Sequence, residues 1–134
     1  MPIQVERIAN SPIIIATLPA PIDAWQEAPE MFEAIILLRD SIVGFDRYFV
    51  IVDASQATLR FSDLVAMLGE SRIARQQRRE DFPVSLAVVG SGKLVEMGAQ
   101  ATNQPQYGNY GMRLFTSLES AIETIQSELS DALG

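Results

Sequence analysis

The first part of the chain carries two short β-rich runs followed by a helical pattern. Apolar and β-branched residues fill 3–8 and 12–18, and the short polar connection between them suits an antiparallel hairpin. From 22 to 43 the apolar positions recur at helical spacing: Met31, Phe32, Ile35, Ile36, Leu38 and Ile42. Because proline is tolerated most easily in a first turn, Pro29 predicts that the main helix starts near it and that 22–28 form a separate turn.

The rest of the chain alternates buried strands with helices. Two nearly continuous apolar runs, 47–53 and 83–90, are typical of strands that are covered on both faces. Between them a helix is predicted from Ser62, and its buried face is Leu64, Val65 and Leu68. The remaining elements are a helix at 93–101, a loop at 102–111, a strand at 112–116 and a final helix with the apolar face Leu118, Ala121, Ile122, Ile125, Leu129 and Ala132.

The order of these elements is β-β-α-β-α-β-α-β-α. Strands that alternate with helices imply a mostly parallel sheet, because each crossover returns the chain to the same end of the sheet. The opening hairpin adds one antiparallel strand at an edge. The sequence therefore predicts an α/β fold with a mixed, mostly parallel β-sheet and about four helices, in a single domain over residues 1–134.

The amino-acid composition limits the classes of function that this chain can have. Apolar residues make up 48% of the chain and charged residues 20%, and no apolar run approaches the roughly 20 residues that span a bilayer. The chain has no Cys and no His, so it lacks a disulfide, a thiol nucleophile, a cysteine metal site and the usual general base near neutral pH. We therefore expect no catalytic residue, no metal and no cofactor.

The net charge of the chain and its first residues indicate which partners and which cellular location to expect. The formal net charge of −7 repels phosphate backbones, so a nucleic-acid partner is not expected. Residues 1–11 have neither a basic start nor an apolar core of signal-peptide length. A cytoplasmic location is the resulting expectation.

A polar junction follows the first continuous strand, in the segment VDASQATLRFSDL. Asp53 and Ser55 lie at the strand exit, where α/β proteins commonly place ligands, and Ser62 and Asp63 lie at the start of the next helix. Ser62 has the residue type of an N-cap, Asp63 complements the helix dipole, and Asp53 can cap loop amides. The alternative is a regulatory or partner-binding site built from these four residues.

A glycine-containing turn is a second candidate site. Gly90, Ser91, Gly92 and Lys93 stand between a buried strand and a helix, the context in which backbone amides cradle phosphate. The other positions that define a full phosphate loop do not match. A plain strand-to-helix turn is therefore favoured over a small-anion or ligand loop.

A basic patch is predicted late in the second helix. Arg72, Arg75 and Arg79 extend the apolar stripe of that helix if it continues past Gly69. A solvated helix end that pairs with nearby carboxylates such as Asp81 is the favoured interpretation. The alternatives are an acidic partner and an anionic lipid surface.

The element order, together with VIVDASQATLRFSDLVAML, resembles the STAS domain of bacterial anti-sigma-factor antagonists. The second half is similar to the SpoIIAA-like branch, in which a strand like SLAVVG precedes a short helix like KLVEMGAQ and the chain ends as in MRLFTSLESAIETI. The resemblance implies a STAS or SpoIIAA-like fold, and it places Ser62 where antagonists carry the serine that a kinase phosphorylates. Its neighbours Phe61, Asp63 and Leu64 differ from that motif, and a carboxylate beside Ser62 would repel a phosphate.

Three functions follow from these observations. The leading hypothesis, implied by the resemblance, is a non-catalytic interaction or regulatory module that docks a protein partner or forms a homodimer through a helix face. The alternative is a small-ligand or lipid-binding domain, which requires an apolar pocket instead of a filled core. An enzyme that uses Asp53 and Asp63 as acid and base is the least favoured. Trp25 and Phe32, aromatic residues on the first helix, are expected to lie in the core.

Overall fold

The structure is a computed structural model that describes residues 3–75, 79–101, 103–104 and 112–133, with side chains except at 71–75 and 132–133. The strands are β1 (Gln4–Arg7), β2 (Ile13–Thr17), β3 (Tyr48–Asp53), β4 (Val84–Val89) and β5 (Arg113–Phe115). The helices are α1 (Ala24–Ser41), α2 (Phe61–Arg75), α3 (Lys93–Ala101) and α4 (Leu118–Leu133). The loop predicted at 102–111 lies outside the described residues apart from 103–104.

The five strands form one sheet in the order β1-β2-β3-β4-β5. β1 pairs with β2 in the antiparallel direction, and the other neighbours are parallel. Each crossover from β2 onward steps to the next strand in the same direction. Because crossovers between parallel strands are right-handed, α1, α2 and α3 all lie on one face of the sheet. The predicted α/β fold, with its antiparallel opening hairpin and four helices, is confirmed.

The two faces of the sheet carry two separate clusters of buried side chains. We call the side covered by α1, α2 and α3 the front face, and its buried residues include Ile14, Ala16, Val50 and Val88. The back face is packed against α4, and its buried residues include Ile13, Phe49, Ile51 and Ile125. Alternate residues of each strand thus point to opposite clusters, as the pleat of a strand requires.

The first helix starts earlier than the proline predicted. Asp23 is the N-cap: its carboxylate accepts the N–H of Gln26 at 3.4 Å, and its own N–H donates to the carboxylate of Glu27 at 2.9 Å. This reciprocal cap satisfies amides that the helix leaves open at its start. Pro29 therefore lies inside α1, and the separate turn predicted at 22–28 is wrong.

Candidate functional site

The front face contains an apolar cavity of about 160 Å³ between the sheet and its three covering helices. It is close in size to an engineered cavity of about 150 Å³ that stays dry and binds benzene. It is lined almost wholly by apolar side chains. This cavity is the candidate site, because a close-packed core has few voids larger than a water molecule.

The sheet forms the floor of the cavity mainly through alternate residues of the neighbouring strands β3 and β4. These residues are Tyr48, Val50 and Val52 of β3 and Val84, Leu86 and Val88 of β4. Of them, Val52, Val84 and Leu86 are only half-buried, although they face the helical layer. The helices therefore leave part of the front face uncovered.

The helices form the walls. The lining side chains are Met31, Phe32, Ile35, Ile36 and Arg39 of α1, Leu64, Met67 and Leu68 of α2, and Leu94, Val95, Gly98 and Ala99 of α3. α2 and α3 approach closely at one point, where a Cβ added to Gly98 would lie 2.9 Å from Cδ1 of Leu64. Met67 and Met112 add flexible thioethers to the lining, which suits a cavity that adapts to its contents.

Among the described residues that line this cavity, one is charged. Arg39 is on the last turn of α1 with 8% of its side chain exposed, and its Nε donates to Oδ1 of Asp40 at 3.0 Å. Asp40 is half-exposed and also lies 3.6 Å from Nη1 of Arg79. The hydrogen bond from Arg39 is the main reason that the pKa of Asp40 is lowered. Asp40 therefore stays ionised and orients the Arg39 guanidinium.

The strand exit predicted as a polar site forms a local turn. Asp53 is buried, and its Oδ1 accepts the N–H of Ser55 at 3.0 Å and the hydroxyl of Ser55 at 2.6 Å. This is the side-chain turn that the sequence favoured for a carboxylate in that position. The regulatory or partner-binding role of the pair stays a prediction.

The start of α2 differs from its prediction by one important residue. The helix begins at Phe61, so Arg60 is the N-cap and Ser62 lies exposed inside the first turn. Asp63 reaches back instead, and its Oδ2 accepts the Arg60 N–H at 2.8 Å. The prediction that Ser62 is the N-cap is wrong. Asp63 supplies the carboxylate half of a capping box and is 1% exposed.

Replacing Asp63 with Ala is expected to lower the free energy of unfolding by about 1 to 2 kcal/mol, because the Arg60 amide loses its capping oxygen. The matched Ser62→Ala change next to it should alter that free energy by less than about 0.5 kcal/mol, since an exposed side chain is removed. Urea unfolding of both variants measures the difference. A larger loss for Ser62→Ala would assign the cap to Ser62 after all.

The glycine-containing turn has the geometry of a strand-to-helix connection. Gly90 is buried, and its N–H donates to the carbonyl of Phe115 at 3.0 Å. Gly92 has a φ of +101°, a conformation that favours glycine, and it directly precedes α3. Ser91 and Lys93 are exposed. The turn accounts for the two glycines, and anion binding there stays a prediction.

Of the three arginines in the predicted basic patch, the structure describes the side chain of Arg79. α2 continues past Gly69 and ends at Arg75, so Arg79 is not on this helix and its predicted place on the helix stripe is wrong. The side chains of Arg72 and Arg75 lie outside the described residues. Arg79 donates from Nη2 to Asp81 at 2.8 Å, and this bond is the main reason that the pKa of Asp81 is lowered. At Arg79 the favoured pairing with a nearby carboxylate is therefore present.

On α1 and α2, some aromatic and apolar side chains that the sequence predicts to be buried are exposed to solvent. Phe32 is half-buried and lines the cavity, but Trp25 is 64% exposed, so its expected place in the core is wrong. On α2, Val65 is also exposed, whereas Asp63 is buried. Phe61 and Val65 point outward, so the prediction that Val65 lies on the buried face of α2 is wrong.

None of the described helices combines the length and the hydropathy that a membrane-spanning helix needs. The described His, Cys, Asp and Glu residues contain no group of three or more that could hold a metal ion.

Comparisons with known proteins give one kind of similarity. No family model matches the chain. No curated protein matches it either. Among solved structures, the chain is similar to an uncharacterised protein of the DUF3478 family from Shewanella loihica PV-4, with 17% identity, 90% of each chain covered and a TM-score of 0.47. That protein is described as having a SpoIIAA-like fold, the fold that the sequence resemblance implied.

Proposed function

We propose that this protein is a non-catalytic binding module that takes a small apolar molecule into the front-face cavity. The observation that carries the proposal is the cavity itself, about 160 Å³ with an almost wholly apolar lining. An apolar molecule entering it would leave water without displacing hydrogen-bonded groups, and burial of apolar surface is favourable at about 25 cal/mol per Å².

The half-buried floor supports the same function. Val52, Val84 and Leu86 expose apolar surface toward the helices, and a ligand would remove that surface from water. The carboxylates considered as an acid and base pair support a non-catalytic role. Asp53 is bonded to Ser55, and Asp63 is almost wholly buried and bonded to Arg60.

A series of linear alcohols from butanol to decanol tests the proposal. Each added methylene is worth about 0.8 kcal/mol, so affinity should rise roughly fourfold per carbon up to about six carbons. Beyond the length that fills the cavity, the affinity should level off. Two-dimensional amide NMR measures both affinity and location.

The NMR map contains its own control. Shifts should concentrate on α1, α3 and the front-face strand residues, while the amides of Ala121 and Ile125 on α4 should stay unchanged. Equal shifts on both faces, or no saturable binding at any chain length, would contradict the proposal.

Docking of a protein partner is the second candidate function. Phe61 and Val65 are one helical turn apart on α2, and both are exposed, at 62% and 43%. A pair of apolar side chains on one outward helix face is the type of surface that a partner covers. Native mass spectrometry of protein isolated from its own cells separates the candidates, because a small-molecule adduct favours the first and a second polypeptide favours this one.

A further inference from the structure

Three methionines line the front-face cavity. They are Met31 of α1, Met67 of α2 and Met112, the residue before β5, so they come from three separate parts of the fold. The whole chain has five methionines, and most of them therefore lie at this one site. A thioether is polarisable and makes favourable contacts with an aromatic ring, with the sulfur about 5 Å from the ring and often at its edge. An aliphatic side chain of similar volume does not offer this contact.

Two aromatic side chains line the same cavity. Phe32 is a half-buried residue of the α1 wall, and Tyr48 is a buried residue of the floor at the start of β3. Aromatic rings gain most from offset or edge-to-face partners, with ring centroids about 4.5–7 Å apart. A ring inside the cavity would therefore have one aromatic neighbour in the wall and another in the floor.

The stiffness and the size of the cavity suit a single rigid ring. Its floor includes Val50, Val52, Val84 and Val88, and branched side chains of this kind are stiff. The methionine side chains are flexible, so they can settle against the edge of a ring that rests on the floor. The volume of about 160 Å³ is that of a cavity which holds one six-membered ring, as the comparison with benzene indicates.

Resting on the proposed function, we infer that the ligand is a neutral molecule built on one aromatic ring, which the thioethers of Met31, Met67 and Met112 distinguish from a saturated ring. An ionised ligand is disfavoured because the lining is almost wholly apolar and would strip the charge of its water. The volume sets how large the ligand is, and the sulfur atoms set its preference for an aromatic ring.

Benzyl alcohol and cyclohexylmethanol are the two probes, because they share the same carbon skeleton and hydroxyl group and differ only in the ring. The saturated compound is the more hydrophobic of the two, so apolar burial alone favours it. One contact between a sulfur and a ring is worth roughly 2- to 12-fold in affinity. NMR titration of the wild-type protein should therefore show benzyl alcohol binding at least about 3-fold more tightly than cyclohexylmethanol.

Replacing the three lining methionines together tests which groups give the preference. The variant Met31→Leu/Met67→Leu/Met112→Leu conserves volume and apolar character, a change that protein cores tolerate. The affinity of benzyl alcohol relative to cyclohexylmethanol should fall by at least about 5-fold, and the difference in hydrophobicity between the probes cancels because it is the same in both proteins. Met97→Leu is the matched control, because Met97 is 47% exposed on α3 and is not a lining residue. It should change the relative affinity by less than about 2-fold.

The methionine methyl resonances of the wild-type protein give the same answer without a variant. A bound aromatic ring shifts nearby methyl resonances through its ring current, and a saturated ring has no such current. Benzyl alcohol should therefore move the methyl resonances of Met31, Met67 and Met112 further than cyclohexylmethanol does at saturation. The Met97 resonance should stay in place with both compounds.

The outcomes separate this inference from the function on which it rests. Cyclohexylmethanol binding as tightly as benzyl alcohol, or a relative affinity that the triple variant leaves unchanged, would overturn the aromatic preference and leave the cavity as a binding site. A Met97→Leu effect as large as that of the triple variant would overturn it as well. Failure of both compounds to bind would overturn both proposals. If the triple variant does not fold, the wild-type affinities and methyl shifts still decide.

Discussion

The Ile125→Ala variant is expected to unfold with a free energy about 3 to 5 kcal/mol below that of the wild-type protein. Ile125 is completely buried in the back-face cluster, where α4 packs against β3, β4 and β5. Removing its side chain costs both the transfer free energy of the lost carbons and the cavity left behind. Urea unfolding followed by circular dichroism measures the change.

The same substitution on the front face is the matched comparison. Ile35 is nearly as buried, but its side chain lines the cavity and so already lacks partner atoms on one side. Ile35→Ala should therefore cost at least about 1 kcal/mol less than Ile125→Ala, although both remove an isoleucine side chain from a helix. Equal losses would show that the front face is as closely packed as the back face, and the proposed ligand site would then be excluded.

The fold was predictable because its signals are local. The continuous apolar runs around Val50 and Ala87 mark strands that helices cover on both faces, and the helical spacing of Ile122 and Ile125 marks α4. The start of α1 differs from the one that Pro29 predicts. A reciprocal cap at those two positions decides where the helix begins, and it tolerates a proline further along.

The cavity was not predictable from the same pattern. Met31, Ile35 and Leu64 have the apolar character of core residues whether the space between them is filled or empty. The volume depends on how closely three helices approach the sheet, and neither periodicity nor composition reports that distance. Gly98 fixes one such approach, but its contact with Leu64 appears only in the structure.

One signal in the sequence did point to the site. Phe32, Ile35, Ile36 and Arg39 follow helical spacing, so a charged residue continues the apolar stripe of α1. A buried charge on an apolar stripe is uncommon and requires a partner, which Asp40 supplies here. Its significance becomes visible only when the structure places it at the wall of a void.

A substitution that fills the front-face cavity is expected to have the second large effect, a loss of ligand binding. In Ala99→Leu the added carbons of the buried Ala99 side chain would enter the cavity from α3. Binding of hexanol should weaken by at least about 10-fold, because the space for the hydrocarbon is taken. The free energy of unfolding should stay constant or rise by up to about 2 kcal/mol, since leucine has nearly the helix propensity of alanine and gains apolar burial.

The same change at Ala34 is the control. Ala34 is half-buried on α1 and is not among the cavity-lining residues, so Ala34→Leu should leave the hexanol affinity within about 2-fold. Titration by NMR and urea unfolding of both variants give the two quantities together. Lost binding with retained stability in Ala99→Leu alone would place the ligand in the cavity. A drop of about 1 to 3 kcal/mol in stability would instead indicate overpacking, and so a front face that has no room for a ligand.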